Sequence, residues 1–331
     1  LFGRTRPVAV PDTPHTMIKA GGTYLITGGC GGLGLLFARY LADTYGARLI
    51  LTGRSALTPE KEQTIASLSA GKGSAVYLQS DICNAREMKQ GLAGLKLTGP
   101  INGIIHAAGI SEPQSMFEKS ANDFQRVLDP KIRGTLVLDE ILAGPVDFVC
   151  YFSSSSAVLG DFGACDYAVG NRFQMAWARY RNGLQGPGKT IAVSWPLWRD
   201  GGMTGNDHEK TGFYLKTSGQ RFLGADEGMA LFEGVLNADM PHLLPLVGDK
   251  ARIHGFLDLD RAQEIPETKR PRNNQNSQDT QGNEPLETRV YDDLREQMSR
   301  LLKIPPDHFE KEENLAESGF DSLGLTDFAE M

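Results

Sequence analysis

Short, nearly continuous apolar runs alternate with amphipathic stretches from residue 21 to about residue 260. The runs have the length and composition of strands that are buried on both faces of a sheet. The stretches between them space their apolar residues as one face of a helix does. This alternation predicts an α/β domain with a doubly wound parallel sheet. The predicted strands are TYLITGG from Thr23, RLILTG from Arg48, AVYLQSD from Ala75, GIIHAAG from Gly103, FVCYFSS from Phe148 and TIAVSW from Thr190.

Three shorter segments flank this domain. Residues 1–20 precede the first strand and are predicted to be an N-terminal linker, the remnant of an upstream region. Residues 261–285 contain almost no apolar side chains, so they cannot offset the entropy lost on ordering and are predicted to be a disordered linker. Residues 286–331 begin with the amphipathic run LETRVYDDLREQMSRLLKI, which predicts a helix and hence a small, partial all-α segment.

The composition argues against several functions. The 331 residues carry a net charge of −7 and no basic cluster, which disfavours a nucleic-acid partner. No apolar stretch is long enough for a membrane helix and no signal-peptide pattern opens the chain, so we expect a cytoplasmic protein. The four cysteines and six histidines are scattered without the spacing of metal ligands, so no metal centre is expected.

A glycine-rich loop, TGGCGGLG, lies between the first strand and the first helix. Glycines in such a loop let the backbone approach a pyrophosphate, and the helix that follows supplies aligned N–H donors. A glycine turn without a ligand is the alternative, which the strand–turn–helix context disfavours. The pattern predicts a Rossmann-like dinucleotide site. Its cofactor-binding residues are predicted to be Thr27, Gly28, Gly29, Gly32, Leu33 and Gly34.

The end of the second strand indicates which dinucleotide binds. It reads LTGRS, without the Asp or Glu that typically binds the ribose hydroxyls of NAD. Arg54 and Ser55 suit the extra 2′-phosphate of NADPH, although a solvated surface arginine is the alternative. Residues that end the later strands are predicted to complete the cofactor site, while His106 is given no role. These are Asp81, Ile82, Ala107, Ala108, Gly109 and Pro196.

The candidate catalytic residues follow the fifth strand, in FSSSSAVLGDFGACDYAVGN. Tyr167 and Asn171 are four residues apart and share one face of a helix. A phenol whose ordinary pKa is about 10 needs a nearby cation to act as an acid–base group at neutral pH. Any of several serines in the run could face a substrate.

Taken together, TYLITGGCGGLG, HAAG, DPKIRGT, FSSSSAVLG and YAVGN resemble the short-chain dehydrogenase/reductase family in order and spacing. Most members carry a lysine four residues after the tyrosine, where Asn171 stands here, and Lys131 lies on the preceding helix instead. This exchange resembles ketoreductase domains of polyketide and fatty acid synthases. The segment SWPLWRDGGM is similar to ketoreductases of trans-acyltransferase assembly lines.

The resemblance implies an NADPH-dependent ketoreductase of a modular polyketide synthase. It implies that Tyr167 protonates the substrate carbonyl oxygen while Ser154 hydrogen-bonds the same oxygen. Lys131 would lower the tyrosine pKa and bind the nicotinamide ribose, and Asn171 would hold the relay in place. The substrate would be a ketoacyl thioester on an acyl carrier protein, with a β-ketone favoured over an α-ketone. A catalytically silent docking or epimerising domain and a stand-alone reductase of a free ketone are the alternatives.

Two motifs that set product stereochemistry in the family have no counterpart here. The sequence after HAAG is ISEPQS in place of Leu-Asp-Asp, and Leu159 stands where a tryptophan marks the opposite type. Residues 203–224 resemble the mobile lid over the substrate cleft. Three aromatic residues near it are assigned either to substrate contact or to packing, namely Trp198, Phe213 and Tyr214.

The motif GFDSLG near the end of the chain resembles the carrier-protein site that receives phosphopantetheine. Ser322 would be the attachment residue, and a plain helix N-cap is the alternative. Residues 286–331 are therefore expected to be the first part of an acyl carrier domain. The expected partners are a carrier-bound ketoacyl substrate and neighbouring polyketide synthase domains.

Overall fold

The computed structural model describes residues 6–8, 16–97, 99–114, 118–142, 144–160, 164–184, 188–202, 208–257 and 259. The chain divides after Ile265 into two units, and the described residues all belong to the first. The predicted linker at 261–285, the predicted carrier segment at 286–331 and Ser322 lie outside the described residues. No helix in the described ranges is long and apolar enough to cross a membrane.

In the described part of the chain, seven parallel strands form one sheet in the order β3-β2-β1-β4-β5-β6-β7. The order reverses between β1 and β4, and the carboxyl ends at such a switch point form a crevice for ligands. The doubly wound parallel sheet is thereby confirmed. The strands are β1 Thr23–Thr27, β2 Arg48–Gly53, β3 Ser74–Gln79, β4 Gly103–His106, β5 Phe148–Ser154, β6 Lys189–Trp195 and β7 His242–Leu243.

Helices connect the strands and cover both faces of the sheet, as right-handed parallel crossovers require. The helix α1 begins directly at the glycine-rich loop, and α4 and α5 follow each other with only Ile132 between them. The helices are α1 Gly32–Tyr45, α2 Pro59–Leu68, α3 Ala85–Gly94, α4 Ala121–Lys131, α5 Arg133–Ile141, α6 Ser156–Leu159, α7 Cys165–Gly183, α8 His208–Ser218, α9 Ala225–Asn237 and α10 Lys250–Phe256.

Two strands differ from the sequence prediction. β3 forms an edge of the sheet, its residues are half-buried or exposed, and Val76 is 45% exposed. Its apolar run is therefore not buried on both faces. β7 contains only two residues, which is too short for any hydrophobic period to be recognised in the sequence.

An aromatic cluster on one face of the sheet holds α1 in place. The ring of Phe37 on α1 lies 4.7 Å from that of Phe152 and 4.9 Å from that of Phe232. Trp198 joins the same core and is 1% exposed, so it serves packing. Phe213 is 70% exposed. Because α1 is anchored to β5, the glycine-rich loop at its start is fixed against the carboxyl ends of the strands.

Candidate cofactor and active site

The glycine-rich loop packs its backbone against two other loops. Gly28 has a φ of 65°, in the left-handed region, and a Cβ there would lie 2.9 Å from Cα of Ala108. A Cβ on Gly32 would lie 2.0 Å from the carbonyl oxygen of Gly201. Glycine is required at both positions because any side chain would displace a neighbouring backbone. The N-cap residue of α1 is Gly31, which has no side chain that could bond the first N–H groups of the helix.

Two adjoining cavities lie over the carboxyl ends of the strands. The larger measures about 1030 Å³ and the smaller about 330 Å³, and Gly28, Ser55, Ala108 and Gly109 line both. The larger is also lined by Arg54, Asp81 and Ile82. The smaller is also lined by Gly32, Leu33, Gly34, Ala107, Lys131 and Tyr167. A dinucleotide that lies across the glycine-rich loop would have room for a nucleoside on either side, so these residues fit NADPH.

Lys61 is a functional candidate that the sequence analysis missed. Its Nζ donates to Oγ of Ser55 at 2.5 Å and to the carbonyl oxygen of Ala56 at 3.1 Å, and it lines the smaller cavity. Arg54 and Ser55 are exposed on the same loop. Two cations and a hydroxyl thus surround the end of β2. The only sequence signal is a lysine in the first turn of α2, where the helix dipole disfavours a positive charge.

His106, which was given no role, connects the end of β1 to the end of α4. Its Nε2 lies 2.9 Å from the carbonyl oxygen of Pro130, and its Nδ1 lies 2.6 Å from Oγ1 of Thr27. A carbonyl only accepts, so Nε2 carries the proton and Nδ1 accepts from the hydroxyl. Complete burial lowers the pKa of His106 to about 3. The neutral ring therefore fixes the carbonyl that precedes Lys131.

Lys131 ends α4 inside the protein. It is 2% exposed, and its Nζ donates to the carbonyl oxygen of Phe152 at 2.6 Å. Burial lowers the pKa of Lys131 to about 7. A buried ammonium that titrates near neutral pH and lines the smaller cavity can exchange protons with groups there.

Tyr167 lies in the first turn of α7 and lines the same cavity as Lys131. Asn171 is fully buried one turn later, and its Nδ2 donates to the carbonyl oxygen of Tyr167 at 2.8 Å. The backbone oxygen of Asn171 accepts from Oγ of Ser153 at 3.2 Å. Oδ1 of Asn171 is buried and has no hydrogen-bond partner among the described residues. The fold thus places Lys131 close to Tyr167 and Asn171.

The position of Ser154 supports its predicted role less directly than the positions of Tyr167 and Lys131 support theirs. It ends β5, and its Oγ accepts from the backbone N–H of Ser156 at 3.2 Å. It does not line the smaller cavity, whereas its neighbour Ser153 does. Four other predicted site residues also lie outside the linings of both cavities. These are Thr27, Gly29, Asn171 and Pro196.

The doubly wound sheet, the glycine-rich loop and the tyrosine and lysine on one cavity wall define a dinucleotide-dependent reductase of the short-chain dehydrogenase/reductase type. The KR domain family matches residues 22–200. The chain belongs to this family and is a ketoreductase domain, so its cofactor is NADPH. Residues 292–331 match the phosphopantetheine attachment site family, which implies phosphopantetheine on the carrier segment.

Curated relatives are polyketide synthases. The chain is 48% identical over 323 residues to polyketide synthase PksM of Bacillus subtilis (strain 168), a match that covers 96% of the chain and 8% of PksM. It is 44% identical over 248 residues to polyketide synthase ThaG of Burkholderia thailandensis, a match that covers 72% of the chain and 4% of ThaG. The chain therefore spans less than a tenth of either protein.

Solved structures of ketoreductases share the fold. A ketoreductase domain from the bacillaene assembly line is 37% identical, with a TM-score of 0.71 over 75% of this chain and 61% of that one. An N-terminal ketoreductase from the macrolactin assembly line is also 37% identical, with a TM-score of 0.66 over 72% of this chain and 47% of that one. The Rossmann-like fold prediction is therefore confirmed at the level of the family.

Proposed function

We propose that this chain reduces a β-ketoacyl thioester, held on an acyl carrier, to the hydroxyacyl thioester in polyketide biosynthesis. The observation that carries this proposal is the shared lining of the smaller cavity. Tyr167, Lys131 and the glycine-rich loop all face it. A proton donor, a cation and a dinucleotide cradle are thus within one space, as carbonyl reduction needs.

Tyr167 is the proton donor in this proposal. NADPH, when bound, would supply a hydride to the carbonyl carbon, and the phenol of Tyr167 would give its proton to the carbonyl oxygen, so that a ketone would become an alcohol. The ammonium of Lys131 stabilises the phenolate left behind, because opposite charges attract strongly in a site with little water. Ser154, at the end of β5, is proposed to hydrogen-bond the same carbonyl oxygen.

Three residues are proposed to keep Lys131 and Tyr167 in position. His106 holds the carbonyl of Pro130 and thereby the end of α4. Asn171 bonds the backbone of Tyr167 within α7, and Ser153 bonds the backbone of Asn171. These contacts are buried, so they hold the site without being exchanged for water.

The 2′-phosphate of NADPH is proposed to bind at the end of β2. Arg54, Ser55 and Lys61 offer charge-assisted hydrogen bonds there. The adenosine is assigned to the larger cavity, against Asp81 and Ile82.

The proposed partners follow from the carrier segment, which comes next in the sequence. Phosphopantetheine on Ser322 or on another carrier would hold the acyl group as a thioester, and other polyketide synthase domains would supply and receive it. We place this chemistry in the cytoplasm, where NADPH is available.

The proposed function is tested by following NADPH absorbance with a β-ketoacyl thioester surrogate. We expect NADPH oxidation by the wild type, weak oxidation of NADH, and loss of turnover in Tyr167→Phe. The Tyr167→Phe protein should still bind NADPH, which separates a chemical defect from misfolding. If the wild type binds NADPH and does not reduce a β-ketone or an α-ketone surrogate, the reductase assignment is wrong.

A further inference from the structure

A fully buried ion pair includes Asp166, the residue that precedes Tyr167. Nζ of Lys119 donates to Oδ2 of Asp166 at 2.5 Å, and each side chain is 1% exposed. Burying two opposite charges carries a desolvation penalty that can exceed their attraction, so an apolar pair often stabilises a protein as well or better. Stability alone therefore does not account for this pair.

The ion pair joins the starts of the two helices that carry the catalytic residues. Lys119 immediately precedes Ser120, the N-cap of α4, and α4 ends at Lys131. Asp166 is the second residue of α7 and precedes Tyr167. The ion pair thus connects the start of the lysine helix to the start of the tyrosine helix.

Asp166 also completes the first turn of α7. The first N–H groups of a helix have no partner within the helix, and the N-cap residue Ala164 offers no side-chain acceptor. Oδ1 of Asp166 accepts from the N–H of Tyr167 at 2.8 Å, and a negative charge at this end of a helix is favourable. Lys119, by holding the other carboxylate oxygen, fixes the turn that carries the phenol.

The same two helices touch at a second point. A Cβ on Gly170 of α7 would lie 3.0 Å from Cβ of Lys131, so the backbone of α7 approaches the catalytic lysine closely. The ion pair lies just before the start of α4 and this contact lies at its end, so the first turns of α7 are held against both ends of α4. The separation between the ammonium of Lys131 and the phenol of Tyr167 is thereby set, and their attraction depends on that separation.

We propose that Lys119 and Asp166 are positioning residues for the reaction, which hold Tyr167 where Lys131 stabilises its phenolate. The inference rests on the proposed role of Tyr167 as the proton donor. Lys119 also donates to the carbonyl oxygen of Glu112 at 2.8 Å, so the segment after β4 is tied to the same turn.

The test must separate geometry from direct charge effects on the phenol. Among the described residues, the other titratable groups that line the cavity with Tyr167 are Cys30, Lys61, Tyr77 and Lys131, and substitution of the ion pair leaves all of them in place. Loss of Lys119 alone removes a nearby positive charge, and loss of Asp166 alone removes a negative one. Lys119→Met/Asp166→Asn removes both, so the two direct charge effects on the phenol oppose each other.

We would measure the titration of Tyr167 by ¹³C NMR of Cζ-labelled tyrosine, with Tyr167→Phe to assign the signal. In Lys119→Met/Asp166→Asn we expect the phenol to titrate about one pH unit higher, because its distance from Lys131 relaxes. We expect kcat to fall about tenfold while KM for NADPH stays within about twofold, since that cradle is untouched. An exposed ion pair of similar length, substituted as Lys89→Met/Glu140→Gln, is the matched control and should change neither quantity.

A wild-type titration of Tyr167 in the folded double variant would overturn the proposal. If that variant does not fold, Asp166→Asn decides the question, because direct charge loss lowers the titration pH and loss of positioning raises it. A lower titration pH in Asp166→Asn together with a kcat equal to that of the wild type contradicts the positioning role. The NMR titration needs no turnover, so absence of reductase activity in the wild type would refute the proposed function without obscuring this result.

Discussion

At the scale of single residues, this site depends on cations placed where ordinary physical chemistry disfavours them. Lys131 is buried, and Lys61 stands in the first turn of a helix, against its dipole. Each lysine faces a cavity that suits an anionic or proton-exchanging partner. Their positions therefore fit a site that holds a cofactor and a reacting phenol.

Lys61 is expected to contribute to the preference for NADPH. In Lys61→Ala, KM for NADPH should rise about tenfold and KM for NADH should stay within about twofold, because a charge-assisted contact to the 2′-phosphate is lost. Steady-state kinetics with both cofactors measures this. The exposed Lys72→Ala is the control and should leave both values unchanged. An equal rise for NADH and NADPH would show that Lys61 does not contact the phosphate.

Burial of Lys131 is expected to give the protein a pH-dependent stability. Burial lowers the pKa of Lys131 to about 7 in the folded protein, against about 10.4 in the unfolded chain, so between these values the unfolded chain binds more protons. The free energy of unfolding of the wild type should therefore rise with pH in this window, by at most about 1.4 kcal/mol per pH unit, relative to Lys131→Met. Melting temperatures at several pH values measure the difference. Curves that run parallel would contradict the lowered pKa, and Lys72→Met should show such parallel curves.

At the scale of elements, the sequence predicted the six long strands because their apolar runs are bounded by glycine and polar residues. It could not predict β7, which has two residues, or the exposure of β3, which follows from strand order. Lys131 was identified by resemblance, since a lysine at a helix end is ordinarily exposed. The bond between Lys119 and Asp166 joins residues 47 positions apart, and no local pattern records such a contact.

The glycine-rich loop depends on its contact with the loop that carries Gly201. In Gly32→Ala, the new Cβ would lie 2.0 Å from the carbonyl oxygen of Gly201, so one backbone must move. We expect KM for NADPH to rise at least about tenfold, because the first N–H groups of α1 lose their alignment with the pyrophosphate. Gly94→Ala is the control, since a Cβ on Gly94 would have no atom within 4 Å. Normal NADPH affinity in Gly32→Ala would exclude a tight contact between the two loops.

At the scale of the whole molecule, charge is divided unevenly along the chain. Residues 286–331 contain 12 acidic and five basic residues, whereas residues 1–285 contain 29 of each. The whole net charge of −7 therefore belongs to the carrier segment. All of the predicted catalytic and NADPH-binding residues lie in the first unit of the chain.

A chain that ends at Ile265 should therefore keep its reductase activity. We expect kcat and KM for NADPH within about twofold of the full chain with a free thioester surrogate, because no proposed contact to the cofactor is removed. Solubility near neutral pH should fall, since a net charge close to zero favours association. Ser322→Ala in the full chain, which keeps the charge, should match the wild type in both respects. Loss of NADPH binding on truncation would mean that the second unit completes the site.

The ion pair between Lys119 and Asp166 also limits how segments of this domain could be exchanged with those of other ketoreductases. The stretch after β4, which contains Glu112 and Lys119, is an obvious one to transplant because Lys119 bonds the residue that precedes Tyr167. Moved into a domain without the matching aspartate, it would bury a lone ammonium beside the catalytic tyrosine. A chimera should therefore carry the first turn of α7 together with this stretch, as a single exchangeable unit.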